Sequence, residues 1–148
     1  MKKIIALILC LALMLSFSAC GAREPITPEL FMFHATEVGF TVTSYDGVNI
    51  SDDGYELVVL AKSDEANAQI IVFETEKQAK ENFADAVHAT QQEEVTVEKQ
   101  VSSSTYAKFY CTNGDEYTAV CRIGTSLFYG KEDSNNGMVR ALMEKIGY

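Results

Sequence analysis

The chain contains no tryptophan, two prolines and only two histidines, His34 and His88. Basic residues are scarce: 12 stand against 21 acidic ones, a formal charge of −9. Each shortage excludes something. Two distant histidines and four widely spaced cysteines match no zinc-ligand pattern. The nine glycines are scattered and build no phosphate-cradling loop. Ser102, Ser103 and Ser104 lack the flanking glycines of a nucleophile elbow. The acids between positions 46 and 53 do not alternate as calcium-loop ligands do, so they read as a solvated turn. An acidic surplus of this size repels nucleic acid. No metal and no cofactor are expected.

What is present begins with a long apolar run. Lys2 and Lys3 precede residues 4–17, which are apolar except for Ser16. Ser18, Ala19 and Cys20 follow. A charged start, a short apolar stretch and small residues describe an export signal. The run is shorter than the roughly 20 apolar residues that span a bilayer. These residues resemble the bacterial lipoprotein signal family. In that family Ser18 and Ala19 correspond to the small positions before cleavage, and Cys20 corresponds to the lipidated acceptor. Phe17 departs from the leucine usual there. The resemblance implies a signal peptide over 1–19, a palmitate-type acylated tether over 20–27 and a single domain over 28–148. It also implies an extracytoplasmic protein fastened to the membrane through Cys20.

With Lys2 and Lys3 removed, ten basic residues face 21 acidic ones, a balance of −11. Such a body is expected to stay soluble just above the membrane and to gain nothing from anionic headgroups.

Thr27-Pro28-Glu29 predicts a helix start, with a hydroxyl cap, a first-turn proline and an early acid. That helix should run to about residue 38, burying Leu30, Phe31, His34, Ala35 and Val38. Gly39-Phe40 suits its end. Residues 40–44 read as a strand, 46–54 as turn, and 56–62 with 68–74 as a hairpin. Thr75 and Gln78 form a capping-box pattern opening a second helix that fades near residue 91. A weak strand over 95–101 precedes strands at 106–111, 116–123 and 126–131. A last helix starting near 134–136 should bury Met138, Leu142, Met143 and Ile146. The expected fold is therefore α+β. About six antiparallel strands lie under helices on one face, in an order that admits a degenerate duplication.

Asn113-Gly114 is the strongest hairpin signal in the chain. Taken as a two-residue turn, it sets Thr112 opposite Asp115. Cys111 and Cys121 then point to opposite faces, five pairs apart, which predicts two free thiols. The same register places Tyr106, Tyr110 and Tyr117 on one face, with Phe128 nearby. That face is either packed under helices or is a binding surface.

The stretch Asn113-Gly114 to Tyr117, with Arg122-Ile123-Gly124, Leu127, Tyr129 and Ile146-Gly147-Tyr148, resembles small lipoproteins of Gram-positive anaerobes. That resemblance implies a location and no activity. The reading that results is a non-catalytic binding module for an envelope protein or peptide. Alternatives are a carboxylate-dependent extracytoplasmic hydrolase and a small ligand-binding transporter accessory.

Overall fold

The first helix forms where its caps predict. Thr27 accepts a hydrogen bond from the Leu30 amide, and α1 spans Pro28–Val38. Gly39 closes it in the left-handed conformation, at φ 106°. The buried stripe is narrower than expected, however. Phe31 and Ala35 are fully enclosed, whereas Leu30 is 50% exposed. The computed structural model describes residues 23–46 and 55–148. The export signal, Cys20 and most of the acidic turn lie outside the described residues.

Seven strands follow rather than about six. They are β1 (Thr41–Asp46), β2 (Tyr55–Lys62), β3 (Ala66–Phe73), β4 (Thr96–Ser102), β5 (Tyr106–Asn113), β6 (Glu116–Ile123) and β7 (Ser126–Asp133). They form one antiparallel sheet in the order β1-β2-β3-β7-β6-β5-β4. Two meanders, β1–β3 and β4–β7, thus meet where β3 pairs with β7. The helix α2 (Glu76–Gln91) carries the chain from β3, near the middle, to β4 at the far edge. Its capping box forms as predicted: Gln78 N donates to Thr75, and the Thr75 amide donates back to Gln78. The last helix, α3, spans Met138–Lys145, a little later than expected.

The helices cover both faces, which corrects the one-face expectation. Phe31 and Ala35 of α1 and Val139, Leu142 and Met143 of α3 share a core with Val59, Ile70, Cys121 and Phe128. Ala79 and Val87 of α2 share a second core with Phe73, Phe109, Cys111, Val120 and Leu127. The cause is visible in β6, where every residue from Tyr117 to Ile123 is buried. A strand that is buried on both sides needs a layer on both sides.

One row of register explains how α3 sits so close. Ala61, Ala68, Gly130 and Ala119 lie side by side across β2, β3, β7 and β6. A Cβ on Gly130 would stand 2.6 Å from a Val139 methyl carbon, so only glycine admits the helix there. The same row continues through Tyr110 to Lys99. Small residues lie beneath the helices, and large amphipathic ones lie beyond them.

The β5–β6 hairpin shifts by two positions. Asn113 pairs with Glu116 across Gly114-Asp115, with Gly114 at φ 57°. The shift is fixed by partners outside the turn. Asn113 donates to Glu93 at 2.6 Å, and Glu116 pairs with Lys131. A slip of two preserves parity, so Cys111 and Cys121 still face opposite cores. Both are free and buried.

Candidate functional site

On the α1/α3 face, α1 packs over β1 and β2, and α3 packs over β3 and β7. The β4–β5 end of that face lies beyond both helices. Its strand period puts Tyr106, Lys108 and Tyr110 of β5 on this side, opposite Ile123, Cys121 and Ala119 of β6. On β4, Lys99 pairs with Tyr110 and Val101 with Lys108.

Three cations gather here on an otherwise acidic protein. The Arg23 guanidinium sits 5.2 Å from the Tyr106 ring centre, and the Lys99 ammonium sits 6.0 Å from that of Tyr110. Such contacts hold a cation over an aromatic face. Arg23 also donates to the Gly147 carbonyl at 3.1 Å, which ties the start of the domain to its C-terminus. Between the two tyrosines lies Lys108, only 6% exposed. Among the described residues it has no ion-pair or hydrogen-bond partner. Burial, and then the charges of Arg23 and Lys99, hold its ammonium below the usual lysine range. The burial belongs to the methylene stem, which a lysine can enclose while its charged tip stays at the surface.

The rings themselves are graded. Phe128 and Tyr117 are buried, and Tyr110 and Tyr106 are half-buried. Tyr110 and Tyr117 approach to 6.4 Å between centres. The Cys121 thiol donates to Tyr110 Oη at 3.7 Å, and burial pushes that thiol up to about 12. Burial raises the Tyr110 and Tyr117 phenols as well, so all three groups stay protonated and neutral at neutral pH. The predicted quartet is thus brought to one face and splits in two. Tyr117 and Phe128 serve the core, while Tyr106 and Tyr110 border the open end.

Tyr117 has a further duty. The Arg140 guanidinium stacks over its ring at 3.7 Å and pairs with Glu132 at 3.2 Å. Glu132 is 2% exposed, and its other oxygen accepts from the Val139 amide at 2.6 Å. It therefore caps α3, whose own N-cap, Gly137, offers no side chain. This network stabilises the covered part of the face.

The other sequence candidates lie apart from this cluster. The His34 ring pairs with Glu37 at 2.9 Å on α1. His88 is exposed and meets Gln92 at 3.0 Å. Among the described residues, no group of three or more His, Cys, Asp or Glu is placed to hold a metal ion. On the α2 face, a groove of about 230 Å³ is lined by Glu93, Asn113, Glu116 and Lys131. Its two carboxylates are already held, Glu93 by Asn113 and Glu116 by Lys131. A second groove of about 360 Å³ runs between α2 and the β4–β5 end, past Phe83, Val87 and Arg122. Arg122 is 2% exposed there and donates to the carbonyls of Ser103, Ser104, Thr105 and Gly124. It pins two neighbouring turns.

Sequence reasoning missed Lys108. The signal was available: a lysine between two aromatic residues at period-two spacing must share their face. Arg23, Lys99 and Arg140 are brought in by the fold and carry no such signal.

No family model and no curated protein matches the chain. Among solved structures, it is similar to a GTP-binding regulator from Thermotoga maritima. That match has 13% identity and a TM-score of 0.46, over 85% of this chain and 90% of the other. It is also similar to the extracellular domain of PknH from Mycobacterium tuberculosis. That match has 9% identity and a TM-score of 0.40, over 86% of this chain and 99% of the other. Neither likeness is close enough to carry an argument. Among the described residues, no helix is long and apolar enough to cross a membrane.

Proposed function

We propose that this protein is an extracytoplasmic lipoprotein, exported by residues 1–19 and acylated on Cys20, whose α+β domain binds and does not catalyse. The export and anchoring part rests on the pattern from Lys2 to Cys20. The binding part rests on one observation, the unpaired Lys108 between Tyr106 and Tyr110. The lysine stem is enclosed and its ammonium, held below the usual lysine range, has no carboxylate beside it among the described residues, so a bound anionic group would supply that partner.

Cys20→Ser tests the anchor. With labelled palmitate, the parent chain takes up label and sediments with membranes. The variant loses the label and leaves the membrane fraction. Equal labelling of the two chains would overturn the lipoprotein reading.

A further inference from the structure

We infer that the α1/α3 face docks onto an anionic membrane surface beside the lipid anchor, so that the domain lies against the bilayer in a fixed orientation. This rests on the lipoprotein reading and adds the partner of the candidate site.

Three observations point the same way. The first is reach. Arg23 follows Cys20 by three residues, and three residues span at most about 11 Å. Arg23 is itself pinned to Tyr106 and to the Gly147 carbonyl. An acyl chain on Cys20 therefore brings the bilayer within about 11 Å of the Arg23 backbone, whose side chain reaches the β4–β5 end of this face.

The second is charge. Arg23, Lys99 and Lys108 share that end, and none of the three has a carboxylate within ion-pair distance among the described residues. The acidic total conceals this local positive field. Other charges on the face are balanced or opposed: Glu37 is shared by His34 and Lys145, Glu29 and Glu144 lie exposed on the helices, and the exposed Glu24 and Glu98 flank Arg23 and Lys99 in sequence and offset part of their charge. Attraction to phosphate headgroups is thus concentrated at the β4–β5 end. Tyrosines beside cations suit the headgroup zone, where a ring can bury its body and keep its hydroxyl wet.

The third is apolar surface. At 100° per residue, Phe33 lies opposite the stripe of Phe31 and Ala35, and Leu30 lies on its flank, about 120° away. Leu30 and Phe33 are 50% and 58% exposed. They are the most exposed large apolar side chains among the described residues, and they point away from the sheet on the anchored face.

The test uses the acylated full-length product, reconstituted at equal density in two kinds of vesicle. One is phosphatidylcholine alone; the other mixes in anionic phosphatidylglycerol, which gives it a negative surface potential. A Phe33→Cys variant carries an environment-sensitive fluorophore. Labelling is selective because Cys111 and Cys121 are buried and burial raises both thiols. The expected result is a blue shift on the anionic vesicles that is lost in high salt and absent on phosphatidylcholine. Arg23→Ser and Lys99→Ser should each lower the docked-to-undocked ratio roughly fivefold.

A retained, acylated chain with identical spectra on both vesicles would overturn the docking claim and leave the anchor intact. A shift that depends on protein density and not on lipid charge would mean contact between copies, and would also overturn it. A chain without acyl mass that washes off both vesicles would overturn the anchor, and docking with it.

Discussion

One face of the sheet contains two regions built on opposite principles. Under α1 and α3, Ala61, Ala68, Gly130 and Ala119 form a row of minimal side chains. The buried Glu132 there is matched by Arg140 and by the Val139 amide. Two strands away, the same row ends in Tyr110 and Lys99, and the Lys108 ammonium has no carboxylate partner among the described residues. The first region is optimised for folding. The second accepts a cost in stability, which is the usual mark of a surface kept for something else.

This contrast can be broken by substitution. The largest effect belongs to the covered region. Phe128→Ala removes a fully buried ring that meets Phe31 at 6.2 Å and Tyr148 at 5.7 Å. It should cost about 4 kcal/mol in urea unfolding. Tyr106→Ala, at the open end, should cost well under about 1 kcal/mol by the same measurement. Comparable losses at the two sites would erase the distinction.

Glu132→Ala comes next. It strips the cap from α3 and leaves Arg140 half-buried without its carboxylate. A loss of about 3 kcal/mol is expected, with reduced helical signal as α3 frays. Glu132→Gln keeps the acceptor for the Val139 amide and should recover part of that loss. A neutral result for Glu132→Ala would remove the capping account.

Much of this architecture is legible in the residues. The caps at Thr27 and Thr75 are local, so sequence order alone locates α1 and the start of α2. The free thiols follow from strand parity, which survives a register slip of two. What is not legible is decided by distant partners. The hairpin turn moves from Asn113-Gly114 to Gly114-Asp115 because Glu93 and Lys131 hold its shoulders. Leu30 reads as core by spacing alone, yet α1 is buried only along Phe31 and Ala35. The candidate site is half legible. The tyrosines share a face by parity. The cations around them arrive from the N-terminal segment and from β4, and no spacing rule connects those segments.

The most direct test of the contrast is the unfolding midpoint of Lys108→Met, measured beside the parent from neutral pH upward. Folding holds the Lys108 ammonium below the ordinary lysine value. Over the interval beneath that value, the unfolded chain therefore binds the extra proton, and parent stability rises with pH. The account predicts that Lys108→Met is more stable than the parent at neutral pH. It also predicts that the gap closes as pH approaches the lysine value of 10.5. A variant less stable than the parent at neutral pH would contradict it, because the ammonium would then support the fold instead of waiting for a partner.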